Sequence, residues 1–209
     1  MTSPSPLLLD TYYHIYNRGT NRENIFFEER NYDYFLQLYA KHIEPVAETF
    51  AYCLLKNHFH LLVRIRAEDE IENVQTQTLK VEEKKTFRVK SPSQKFSDFF
   101  NAYAKAINMT YNRSGSLFQH PFGRVRITSD RQFIQVIAYI HQNPQKHQFV
   151  EDFRDWKYSS YGTVLSEQPT HLRRAQVLDW FGGKKQYLDL HAQWLTDGKS
   201  KWLAEDDDD

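Results

Sequence analysis

His58 and His60 flank Phe59 in LLKNHFHLLVRI, residues 54–65, a run that reads as a β-strand. Side chains alternate between the two faces of a strand, so both imidazoles point one way and Phe59 the other. Two nitrogen ligands then converge on one surface, where a metal ion or a phosphate could be held. Further along, AYIHQN (138–143) sets Tyr139 and Asn143 four residues apart, hence on one helical face, with Gln142 adjacent to it. A phenol with a pKa near ~10 is a weak nucleophile at neutral pH. A divalent ion that polarises a phosphodiester removes much of that burden, and transesterification becomes feasible. The phosphotyrosine bond keeps the energy of the broken linkage, so a DNA hydroxyl can reverse the step and join strands without ATP. Each residue also has an ordinary reading: histidines on a strand face, one aromatic among thirteen tyrosines, an asparagine that stops a helix before Pro144.

The elements around these residues decide whether they meet. TYYHIYNRG (11–19) alternates and ends in a turn signal, so it reads as a first strand. Tyr32, Phe35, Leu36, Tyr39 and Ile43 recur at helical spacing over 28–43, before Pro45. ETFAYCLL (48–55) and HFHLLVRIR (58–66) are strands separated by only Lys56 and Asn57, the length of a hairpin turn. Residues 67–92, rich in Glu, Lys, Gln and Thr, read as a mobile insertion or loop. A helix over 93–113 carries Phe96, Phe99, Phe100, Tyr103, Ile107 and Tyr111 on one face, with Ser93 as its expected N-cap. SLFQHPFGRVRIT reads as a strand or bent hairpin. The last helix of the unit, 130–143, is expected to open at a capping Asp130 and to end before Pro144.

This order predicts the α+β class: a ferredoxin-like split βαβ antiparallel sheet with an added catalytic helix and a C-terminal helical extension. The first and third strands are then central neighbours, and the added helix can pack on the face that displays His58 and His60. His14, on the first strand, could face that site or be structural, and the structural reading is favoured. Residues 1–150 form the expected catalytic domain. Residues 151–209 form the extension, with FRDWKYSSYG, a helix near 172–181 closed by Gly182-Gly183, an aromatic helix through Tyr187, Leu188 and His191, and an acidic tail.

Composition narrows the setting. The chain has 209 residues, thirteen Tyr, fifteen Phe and four Trp, with only seven Gly and seven Pro, which is a folding composition. Cys53 is the sole cysteine, so neither an intramolecular disulfide nor a thiolate cluster can form within one chain. No signal peptide or membrane span is expected, and the predicted location is cytoplasmic. Lys and Arg balance Asp and Glu at 27 each, yet Glu205–Asp209 hold five of the acids, leaving residues 1–204 at 27 against 22, a net +5. Within 112–131, Arg113, Arg124, Arg126 and Arg131 face a single acid, Asp130. A local basic surface able to meet phosphates follows.

NHFHLLVR, with YHIYNRG upstream and YIHQNP downstream, resembles the HUH single-tyrosine transposases, and most closely the REP-associated tyrosine transposases. The resemblance runs from about Tyr12 to about residue 162, in the family's order. It implies a DNA transposase or endonuclease that cleaves and rejoins single-stranded, hairpin-containing DNA through a 5′-phosphotyrosine. Tyr139 would be the nucleophile, His58, His60 and Asn143 the ligands of Mg²⁺ or Mn²⁺, and Gln142, His141 or water the alternatives to Asn143. Imidazoles also suit zinc and other transition metals, so the ligand set leaves the ion open. Asn17, Arg18, Arg124 and Arg126 are the expected DNA contacts, with aromatics of the basic stretch available for base stacking. The resemblance leaves monomer and homodimer both open. Three rivals accompany it: a replication-initiator or relaxase nickase, a domesticated DNA-hairpin-binding protein without catalysis, and a hydrolase that uses water.

Overall fold

A computed structural model of the chain describes residues 5–77 and 90–197. Most of the 78–92 part of the expected insertion and the acidic tail lie outside the described residues. Four strands, β1 (Thr11–Arg18), β2 (Ala47–Leu55), β3 (His58–Ile65) and β4 (Gly123–Ile127), form one sheet in the order β2-β3-β1-β4, every neighbouring pair antiparallel. This is the α+β, split βαβ arrangement expected from the sequence, with β1 and β3 in the centre. Helix α1 (Glu29–His42) connects β1 to β2, α2 (Glu68–Gln77) and α3 (Pro92–Thr110) follow β3, and α4 (Asp130–Lys146) follows β4. Helices α5 (Tyr161–Leu165), α6 (Arg174–Phe181) and α7 (Lys184–Asp197) complete the described chain.

The sheet is apolar on both faces, which is why its strands break from simple hydrophobic-polar alternation. On one face Tyr13, Ile15, Phe59, Leu61 and Val63 meet α1 and α3 through Phe35, Tyr39, Phe96, Phe99 and Tyr103. Burying each such aromatic is worth roughly 2–3 kcal/mol. On the other face Phe50, Cys53, Leu55 and Leu62 meet Phe133, Val136, Ile137 and Ile140 of α4, and the same cluster takes in Phe153, Tyr161, Val177, Phe181 and Tyr187. The segment after α4 also runs along the outer edge of β2: Leu54 N donates to Tyr158 O, Ser160 N to Tyr52 O and Arg173 N to Thr49 O. Helices 5 to 7 are thereby packed on the sheet and on α4.

Three local expectations are corrected. Residues 68–77 of the expected loop are helical, anchored by Ile71, 2 % exposed, and by Arg64, which donates to Glu70 at 2.8 Å. The cap of α3 is Ser91, whose Oγ accepts from Gln94 N, because Pro92 takes the first helical position where its missing N–H costs nothing. Helix α4 is capped by Ser129, whose Oγ accepts from Gln132 N, and it runs through Pro144 to Lys146. Asn143 and Pro144 are both buried, so packing overrides the local bias of a residue before proline. This continuation matters for the site, since it keeps Asn143 and the residues after it on a helical lattice.

Candidate active site

Register places the chemistry on one sheet face. Arg18 pairs with His58, Tyr16 with His60 and His14 with Leu62, so the side chains of these residues share the face that α4 covers. His58 and His60 are 3 % and 2 % exposed, and their rings meet edge to face with centroids 5.2 Å apart. Tyr139 is 2 % exposed, and its ring stands edge-on to His60 at 5.4 Å and to His14 at 5.9 Å. The Lys146 ammonium lies 5.1 Å from the centre of the same ring. One turn after Tyr139, Asn143 is fully buried, and its Nδ2 donates to Tyr139 O at 3.0 Å. Its Oδ1 is buried with no hydrogen-bond partner among the described residues, the state expected of an acceptor that serves a ligand.

The geometry separates the alternatives to Asn143. Gln142 Nε2 donates to His191 O, and His141 Nδ1 and Nε2 meet His191 Nε2 at 2.9 Å and Ser160 Oγ at 2.8 Å, so both residues face α7 and the extension. Burial, reinforced by the neighbouring His191, holds the His141 imidazole far below its ordinary pKa. Asn143 alone of these three lies on the Tyr139 face. Among the described residues no three of His, Cys, Asp and Glu group as a metal centre. Two imidazoles with one amide oxygen fit a divalent ion with open positions for phosphate oxygens.

The expected DNA contacts divide. Arg18 stands beside His58 on the site face. Asn17 does not reach the surface: it is 4 % exposed and its Oδ1 accepts from Arg18 N at 2.8 Å, a turn-stabilising role. Arg124 and Arg126 pair with Ile15 and Tyr13 and so lie on the opposite face of the edge strand. Arg126 is exposed, while the Arg124 guanidinium covers the Phe122 ring at 3.8 Å and donates to Ser5 O. Arg113, from the same basic stretch, is bound to Glu23 at 2.7 Å.

Three neighbours of the site had not been singled out for it. His147, at the end of α4, packs against His58 with ring centroids 4.7 Å apart, and Lys146 covers Tyr139. They are the third and fourth residues beyond Asn143, past the helix end that Pro144 predicts. Tyr16 lies 5.1 Å from His14 and 6.0 Å from His60, across Gly123, where a Cβ would meet the tyrosine ring at 2.2 Å. His14 itself is inside the site, its Nε2 3.0 Å from His60 Nδ1.

No protein-family model matches the chain. A curated protein of Haemophilus influenzae named "Putative REP-associated tyrosine transposase" is 29% identical over 114 residues, 54% of this chain and 58% of the relative. The chain thus spans a little over half the length of that relative. A solved structure titled "Structure of the REP associates tyrosine transposase bound to a REP hairpin" matches with a TM-score of 0.58, covering 81% of this chain and 89% of the other at 14% identity. At that identity the likeness is one of fold. In fold, the chain is similar to a tyrosine transposase. The sequence relative carries the name of a putative REP-associated tyrosine transposase and the structural neighbour's title names a REP-associated tyrosine transposase, in agreement with the resemblance carried by NHFH and YIHQNP.

Among the described residues no helix is long and apolar enough to cross a membrane.

Proposed function

We propose that this chain is a metal-dependent tyrosine transposase that cleaves and rejoins single-stranded DNA carrying a hairpin, with Tyr139 as nucleophile. The observation that carries the reading is the placement of Tyr139 against His60, ring centroids 5.4 Å apart, with the unpartnered Oδ1 of Asn143 one turn along the same helix. His58, His60 and Asn143 would hold Mg²⁺ or Mn²⁺, which when bound polarises the scissile phosphate and stabilises the charge that develops on it. The Tyr139 oxygen attacks phosphorus, a P–O(Tyr) bond forms, and the bond from phosphorus to the 3′ oxygen breaks. The proton lost by the phenol is recovered by the departing 3′ oxygen, so atoms and charge balance and a 5′-phosphotyrosine remains. A 3′ hydroxyl of another strand then reverses the step and joins to the held 5′ end.

The structural neighbour is bound to a REP hairpin, and a hairpin of that type is the proposed partner here. Arg18 beside His58 and Lys146 over Tyr139 are suited to phosphates next to the scissile bond, and exposed Arg126 to a more distant part of the duplex.

The test is incubation of the chain and of Tyr139→Phe with end-labelled hairpin DNA and Mn²⁺, read on a denaturing gel. The expected result is a covalent adduct that needs the ion and disappears in the variant. Cleavage persisting in Tyr139→Phe would point to water as nucleophile. Hairpin binding without cleavage in the unaltered chain would favour the domesticated hairpin binder.

A further inference from the structure

Each β3 imidazole uses Nδ1 to meet a neighbour that is not among the proposed ligands. His58 Nδ1 lies 2.7 Å from Asn57 Oδ1, and the same amide directs its Nδ2 to Arg22 O at 3.4 Å. The amide oxygen therefore faces the ring, and an oxygen there can only accept, so His58 carries its proton on Nδ1. His60 Nδ1 lies 3.0 Å from His14 Nε2, with the two rings inclined by only 18°. A bond between two neutral imidazoles joins one N–H to one lone pair, which allows two arrangements. In one, His14 donates and His60 keeps its proton on Nε2, where it blocks coordination. In the other, His60 donates from Nδ1, and its Nε2 presents a lone pair.

We propose that His14 is a positioning residue that holds His60 in the Nδ1–H form, as Asn57 does for His58, so that both imidazoles offer Nε2 to one divalent ion. This rests on the metal-dependent reading above. Ligand histidines are commonly oriented by a partner on the ring nitrogen remote from the metal, and here one partner is itself a histidine. His14 does not compete for the ion through Nε2, because that atom is committed to His60 on the side of the ring away from the His60 Nε2. Its placement is held from both sides: His14 is 1 % exposed, flanked by the Tyr16 ring that lies over Gly123 and by the edge of Tyr139.

Two measurements on the full chain decide it. Imidazole ¹⁵N NMR of the ion-free protein should find His58 and His60 as the Nδ1–H tautomer, and an Nε2–H His60 would overturn the proposal without any variant having to fold. Mn²⁺ affinity, followed by calorimetry, should fall by roughly 10- to 100-fold in His14→Phe while ion-free hairpin binding stays within about two-fold. His14→Gln, whose amide oxygen can accept the same hydrogen bond, should recover most of the loss. Equal Mn²⁺ affinity in the unaltered chain and His14→Phe would sink this inference alone. Absence of Mn²⁺ binding by the unaltered chain would overturn the metal-dependent reading and this inference with it.

Discussion

Tyr16 illustrates how the packing of one ring shapes the site. Its ring occupies the space a side chain at position 123 would need, with Gly123 only 2.2–2.6 Å, measured from an added Cβ, from three ring carbons. Gly123→Ala must therefore displace the ring or the edge strand, at a cost of about 1–3 kcal/mol. Urea denaturation should register the loss, and a tryptophan-free probe such as ¹⁹F-labelled tyrosine should report Tyr16 leaving its contact with His14. Unchanged stability would mean that the edge strand yields freely. At this scale the sequence was legible wherever period and chemistry coincided: His58, His60, Tyr139 and Asn143 could be read off because alternation and four-residue spacing each fix a face. His14 was readable as a neighbour of the third strand, but its bond to His60 depends on register, which spacing within one strand does not contain. Asn17 shows the converse, since a polar residue at a strand end looks exposed in the sequence, yet Asn17, in register with Phe59, is buried.

At the scale of elements, the strands and the apolar helix faces follow directly from periodicity, and the errors fall at helix ends and in the polar segment after β3. Helix α2 escaped notice because its apolar contribution is slight; what holds it is a charged cluster drawn from β2, β3, α2 and the segments beside them. Arg64 reaches Asp10 at 2.7 Å, Glu48 of β2 at 2.7 Å and Glu70 of α2 at 2.8 Å, and Glu48, 6 % exposed, also meets Arg66 and Arg173. Burial alone would raise the Glu48 carboxyl pKa, but the arginines outweigh it and the group is held below its ordinary value. Such contacts join residues far apart in the chain and leave no periodic trace. Arg64→Met should cost about 1–3 kcal/mol through the lost charge-assisted bonds. Amide exchange over 68–77 should accelerate more than exchange in β1 or β3. If it does not, Ile71 packing is sufficient to hold α2.

The whole molecule is tied together on the far side of α4, where the sheet edge, the helix bearing Tyr139 and the C-terminal helices share one buried polar chain. Tyr52 N donates to Ser160 Oγ, Ser160 meets His141 Nε2, His141 Nδ1 meets His191 Nε2, and His191 Nδ1 donates to Tyr187 O at 2.7 Å. These bonds stay mutually consistent while at most one of the two imidazoles is charged, because only when both are protonated do His141 Nδ1–H and His191 Nε2–H face each other. Burial lowers the His191 pKa from its ordinary 6.5 to about 4. The unfolded chain therefore takes up a proton as pH falls through 6.5 while the folded chain does not until about 4, so stability is full above that window and is lost as pH falls within it. Between about pH 7.5 and about pH 5 the unfolding free energy should drop by about 2 kcal/mol from this group. Over this range ordinary carboxylates contribute little, and His191→Gln, unable to take the proton, should unfold with a correspondingly flatter dependence on pH. Urea titrations of both proteins across that window make the comparison, and parallel slopes would show that His191 titrates alike in the folded and unfolded chain. Because the same chain of bonds braces the helix that carries Tyr139 and Asn143, the proposed hairpin cleavage and global stability should decline together as acid opens it.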